Sequence, residues 1–105
     1  MISLRTVLYV DDIRIPKVWK EDVVKVTIAR TYDEAIELLK NYKYDIIDLD
    51  HDLGEEKTGY DVAKFIVEEQ INIPTVYVHT ANPVGRMNII DLMKHYTKSD
   101  IKFYI

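Results

Sequence analysis

The chain has 105 residues, no cysteine and a net charge of −4 at neutral pH. That length fits a single domain over residues 1–105. The lack of thiols excludes disulfides and thiolate metal sites, and the acidic balance argues against a protein that mainly grips duplex DNA.

Apolar residues make up 48% of the chain and charged ones 30%, a balance that suits a soluble globular protein. No apolar run approaches the roughly 20 residues that cross a bilayer. The start lacks the basic and apolar regions of a signal peptide, so the expected location is the cytoplasm, with no membrane partner.

Residues 6–10 (TVLYV) read as a short buried strand that runs straight into DDIRIP. Residues 23–29 (VVKVTIA) form a second β-branched run. TYDEAIELLKNY follows as a helix: Thr31 and Glu34 have capping-box spacing, and Ala35, Ile36, Leu38, Leu39 and Tyr42 recur at helical intervals. Residues 44–49 are a third strand, ending in DHDLG. A second helix spans TGYDVAKFIVEE, with Thr58 as N-cap. Residues 73–78 (IPTVYV) are a fourth strand and residues 84–96 a third helix. IKFYI, residues 101–105, is a fifth strand.

Alternating strands and helices predict a parallel sheet, with apolar residues on both strand parities and therefore burial on both faces. Ligands in such sheets collect beyond the carboxyl ends of the strands. The polar clusters obey that rule, because DD follows strand 1, DHD follows strand 3 and HTAN follows strand 4. Three distant stretches therefore converge on one site. Only residues 13–22, with Pro16 among them, separate strands 1 and 2. A parallel crossover normally takes a dozen residues or more, so the first helix is curtailed or absent. No helix is expected after strand 5 either. Right-handed crossovers would put both missing elements on one face. That thinly covered face is expected to pack on a second copy or a partner.

Like charges at three converging strand ends call for a cation. Asp11, Asp12 and Asp50 are the candidate ligands, and oxygen donors suit Mg²⁺ or Mn²⁺. Asp52 shares a side with Asp50 if the chain stays extended, either as a further ligand or as a loop cap. His51 is either a catalytic acid/base or a packed ring. His79 is a second proton-transfer candidate. Asn82 either joins a phosphate site at the helix start or is a plain N-cap. Arg14 and Arg86 are candidate phosphate clamps. Asp48, inside strand 3, must be paired or lie on an open face. Asp45 reads as a solvated strand start, Trp19 as packing and His95 as a surface residue at a helix end.

VLYVDD, YDIIDLDHDLGEEKTGYDVAKFI and IPTVYVHTAN together resemble the response-regulator receiver domain over roughly residues 6–105. The resemblance implies an α/β fold of three-layer type, a parallel five-stranded sheet in the flavodoxin-like order 2-1-3-4-5. It implies Mg²⁺ held by the acidic residues and Asp50 as phosphate acceptor. It also places Gly59 at a helix start and Thr80 beside the phosphate. The lysine that receivers carry just after strand 5 has no match, since Lys102 lies inside the strand. DDxRxP, DHDLG and HTANPVG are similar to a divergent receiver-like family that processes or senses cyclic phosphates. Two function classes follow. One is a metal-dependent cyclic phosphodiesterase, or a sensor, for a small phosphorylated ligand such as a cyclic nucleotide or for an RNA 2′,3′-cyclic end. The other is a phosphoaspartyl or degenerate receiver that acts by protein interaction.

Overall fold

The computed structural model describes residues 4–20 and 23–104. Five parallel strands form one sheet in the order β2-β1-β3-β4-β5. They are β1 (Arg5–Val10), β2 (Val24–Ala29), β3 (Ile46–Leu49), β4 (Thr75–His79) and β5 (Asp100–Tyr104). The helices α1 (Tyr32–Asn41), α2 (Gly59–Glu68) and α3 (Pro83–Tyr96) follow β2, β3 and β4. This is the expected flavodoxin-like receiver order. Ile105, assigned to the last strand from the sequence, lies outside the described residues.

Local signals explain where the helices start. Thr31 Oγ1 accepts from the Glu34 N–H at 3.1 Å and opens α1. Glu34 reaches back to the Arg30 N–H, one residue before the cap. Asp61 accepts from the Thr58 N–H at 2.8 Å and opens α2. Asn82 Oδ1 accepts from the Gly85 N–H at 3.0 Å, with Pro83 at the first helical position of α3.

Strand parity divides the core in two. Leu8 and Val10, Ile47 and Leu49, and Val76 and Val78 face a large cluster that includes Ala35 and Leu39 of α1, Val62 and Ile66 of α2, and Ile89 and Met93 of α3. All three helices therefore pack on one face. The opposite face has a small cluster of Val7, Val24 and Ile46, joined by Trp19, Val26 and Tyr77. No helix forms among the described residues between β1 and β2, and residues 11–20 cross that face as irregular chain. The expectation of one thinly covered face holds in that sense.

Asp45 departs from its expected solvated role. Its carboxylate accepts from the Thr6 N–H at 2.8 Å, and its own N–H donates to Thr6 Oγ1 at 3.0 Å. It latches the start of β3 to β1. A short carboxylate beside a backbone N–H near the start of a strand is a ready acceptor, which hydropathy alone does not show.

Candidate functional site at the carboxyl edge of the sheet

Register sets the height of the site. Val10 pairs with Leu49, and Leu49 with Val78. The next residues, Asp11, Asp50 and His79, therefore end three adjacent strands level with one another. All three are buried. One donor atom from each lies within 4.8 Å of the other two, a grouping of the kind that holds a metal ion.

Asp48 lies one step below, fully buried in the central strand. It is paired, and by three donors. Trp19 Nε1 donates to Oδ2 at 2.7 Å, the Tyr104 hydroxyl donates to Oδ2 at 2.5 Å, and His79 Nδ1 lies 2.5 Å from Oδ1. Trp19 is thus more than packing. Its ring also meets Tyr77 edge-on, with centroids 5.0 Å apart. His79 is flanked on both sides, for its Nε2 lies 2.9 Å from Asp11 Oδ2. The Tyr9 and His79 rings stack at 4.7 Å and 6°, and Tyr104 stacks on the other side at 5.5 Å.

These contacts set the charges. Burial works against a cation on His79, but the Asp48 hydrogen bond and charge, then Asp11 and Asp50, outweigh it and raise its pKa. Burial also pushes Asp11 up. The backbone N–H groups of Arg14 and Ile13, followed by His79, more than offset that and hold its carboxyl below the usual range. Asp50 goes the other way, raised first by burial and then by the Asp11 charge. Burial, followed by contact with Asp48, keeps the Tyr104 hydroxyl protonated and donating.

The remaining candidates fall into two groups. Asp12, Arg14, Asp50, Asp52 and Thr80 border one cavity of about 290 Å³. Asp12 and Asp52 stand outside the close trio of donor atoms. Arg14 is half exposed, with Nε 3.9 Å from Asp11 Oδ2. Thr80 Oγ1 accepts from the Asn82 N–H at 3.1 Å. The other group turns away. Asn82 caps α3. Arg86 stands over the Phe103 ring, 5.0 Å from its centroid, and lines neither this cavity nor the larger one beside it. The His51 ring packs against Gly85 at the start of α3. Its Nδ1 lies 3.0 Å from Asp52 Oδ1.

Two glycines let these loops close up. A Cβ on Gly59 would lie 1.9 Å from the Asp50 carbonyl oxygen, and one on Gly85 would lie 2.4 Å from the His51 ring. The Gly59 N–H donates to the His51 carbonyl at 2.8 Å. The helix starts of α2 and α3 thereby clamp the end of β3.

Sequence reasoning missed Tyr9, Tyr104 and Arg30. Tyr9 shares a parity with Asp11, a usable signal. Arg30 donates to the Arg14 carbonyl at 2.6 Å and the Asp11 carbonyl at 3.2 Å, which pins the loop. Nothing in its local sequence marks that role.

The fold is shared with solved receiver domains. The receiver domain of the Francisella response regulator 1452 superposes with a TM-score of 0.71 at 24% identity, covering 93% of this chain and 83% of that one. The response regulator TrrA of Thermotoga maritima, in complex with Mg²⁺-BeF, gives 0.71 at 20% identity, covering 97% and 86%. A CheY-like receiver domain protein of Methanospirillum hungatei gives 0.69 at 16% identity, covering 95% and 82%. At these identities the likeness establishes the fold. No curated protein matches the sequence. The model of the cyclic-phosphate processing receiver domain matches residues 6–95. With that match covering β1 to β4, α1, α2, nearly all of α3 and the trio of Asp11, Asp50 and His79, the chain belongs to the cyclic-phosphate processing receiver domain family.

Proposed function

We propose that the chain binds Mg²⁺ or Mn²⁺ through Asp11, Asp50 and His79 and uses this edge of the sheet to open a small cyclic phosphate ester. The observation that carries the reading is the buried trio itself, two carboxylates and an imidazole with donor atoms within 4.8 Å. Two like charges out of water favour a bound cation. Carboxylate oxygens with one imidazole nitrogen fit Mn²⁺ as well as Mg²⁺. Asp48 supports the fit, since a ligating histidine commonly donates its other ring N–H to a carboxylate.

An ion held there would neutralise a phosphoryl oxygen and make its bound water more acidic. The chain's own residues do the rest. Asp48 fixes the His79 ring and directs Nε2 toward Asp11. Arg14, at the mouth, balances the phosphate charge. Asp12, Asp52 and Thr80 border the space in which the phosphate sits. In the reaction, water adds to phosphorus, one ring P–O bond breaks, and the departing oxygen takes up a proton. His51, held by Asp52 and packed against Gly85, supports the loop.

The test is phosphorus NMR of the protein with Mg²⁺ or Mn²⁺ and a panel of cyclic phosphates, including nucleoside 2′,3′-cyclic ends. Ring opening to a monoester that needs the ion and disappears in Asp50→Asn is the expected result. Binding without turnover identifies a sensor. Neither binding nor turnover across the panel sinks the reading. A mass increase with acetyl phosphate, lost in Asp50→Asn, would favour phosphoryl transfer to Asp50 instead.

A further inference from the structure

A second cavity, of about 660 Å³, lies beside the first on the loop-covered face. That volume falls within the ~300–1,000 Å³ of small-molecule sites. Its walls differ from those of the acidic cavity. Tyr9, His79 and Tyr104 contribute rings, while Ile13, Ile15 and Val18 of the irregular segment contribute aliphatic side chains. The Tyr104 hydroxyl is turned to Asp48, and the Tyr9 hydroxyl makes a long 3.4 Å contact with Asp11. Tyr104 therefore offers mainly its apolar body to the cavity, while Tyr9 and His79, buried and stacked on each other, form its floor.

This cavity adjoins the acidic one. Both are bordered by Ile13, Arg14 and Ala81, so they share one wall. Its cations are Arg14, on that wall, and Lys17. Ile13, Ile15 and Val18 are 77%, 72% and 51% exposed. Single exposed apolar residues are ordinary, but three within six positions bordering one cavity make a patch.

From this arrangement we infer that the 660 Å³ cavity takes the planar apolar part of the same ligand, a nucleobase, so that the substrate is a nucleoside cyclic phosphate of mononucleotide size. The inference rests on the proposed phosphate chemistry at Asp11, Asp50 and His79. A flat aromatic ring fits walls of rings and branched aliphatics. Its phosphate reaches past Arg14 into the acidic cavity, and Lys17 adds attraction for the anion. The walls carry little that reads base edges, so the site selects for a base over none and discriminates weakly among bases.

The experiment compares three probes by calorimetry with Mn²⁺ present: adenosine 2′,3′-cyclic phosphate, glycerol 1,2-cyclic phosphate, which has no base, and adenosine, which has no phosphate. The base is expected to strengthen binding roughly tenfold or more over the glycerol ester, through apolar surface buried against Ile13, Ile15, Val18 and Tyr104. Ile15→Ser and Val18→Ser change exposed loop positions without adding charge beside Arg14 and Lys17, and are expected to remove that advantage while leaving the glycerol ester unchanged. Equal affinity of the two cyclic esters in the unaltered protein overturns the base subsite and leaves the phosphate reading standing. Adenosine binding that is lost in Ile15→Ser, with no response to either ester's phosphate, keeps the subsite and removes the phosphate reading. Binding of none of the three overturns both.

Discussion

Trp19 Nε1 donates a 2.7 Å hydrogen bond to Asp48 Oδ2, joining the irregular segment after β1 to a carboxylate fully buried in the central strand. A hydrogen bond to a charged group contributes about 1.5–3 kcal/mol, and a buried acceptor left short of donors costs similarly. Trp19→Phe keeps a ring near Tyr77 and removes the donor. It is expected to destabilise the protein by about 1.5–3 kcal/mol in urea unfolding. A change below about 0.5 kcal/mol, the range of ordinary surface substitutions, would show that the bond carries no weight.

Asp48 also sets His79. Asp48→Asn keeps the shape of the side chain and removes the charge that holds the imidazole. Loss of such an outer partner lowers metal affinity roughly 10–100-fold. Manganese binding followed by electron paramagnetic resonance is expected to weaken by that amount. Asp11→Asn and Asp50→Asn are expected to lose at least as much, and Asp12→Asn and Asp52→Asn less, because those two stand outside the donor trio.

The strand and helix order was legible in the sequence because each element carries its own periodicity or cap. The level alignment of Asp11, Asp50 and His79 was half legible. Their places at strand ends showed, but the register between strands did not. Asp48 was legible as a problem, a carboxylate on a strand that must be buried. Its solution lay outside any sequence window, since the partners are 29, 31 and 56 residues away. Trp19 passed as packing for the same reason. Its ring does pack, and only the fold shows where its N–H points.

In metal-free solution, stability depends on pH through His79. The groups facing it are Asp48 from β3, Asp50 just after it, Asp11 after β1, the Tyr9 and Tyr104 hydroxyls, and Arg14 beside Asp11. Its folded pKa is raised, so its contribution is complete below the unfolded value of about 6.5 and is lost as pH rises through the higher folded value. Asp50 acts in the same sense, because a raised carboxyl makes its ionisation costly as pH climbs above its unfolded value. With a chelator present, the melting temperature is expected to fall from pH 6.5 upward. His79→Gln is expected to flatten that slope, and an unchanged slope would place its origin elsewhere.

The two arginines proposed from sequence are expected to behave differently. Arg14 borders both cavities, while Arg86 lies over Phe103. Arg14→Ala should weaken binding of a cyclic phosphate by about 1.5–3 kcal/mol, the range for a charge-assisted hydrogen bond. Arg86→Ala should leave that binding unchanged and cost about 0.5–1 kcal/mol of stability, as for an exposed cation–π pair. Calorimetry and urea unfolding on both variants separate the effects.

Gly59 and Gly85 are close-approach positions of unequal severity. In Gly59→Ala the new methyl meets the Asp50 carbonyl, which is backbone and cannot step aside. That variant is expected to fold poorly and yield little soluble protein. In Gly85→Ala the obstacle is the His51 side chain, which can rotate. It is expected to fold with a loss of about 1–3 kcal/mol, the usual range for overpacking, and with a shifted His51 resonance.

The three helices share one face of the sheet, and the Asp48–His79 network with its bordering loop lies on the other. Foldability and selectivity are thus written in different residues. The large cluster beneath the helices makes the protein cohere, while Ile13, Ile15 and Val18 are mostly solvent-facing and contribute little to it. A lineage built on this plan can exchange loop residues, and with them the molecules it accepts, without renegotiating its core. Diversity among its relatives should therefore gather between β1 and β2, over a sheet that stays the same.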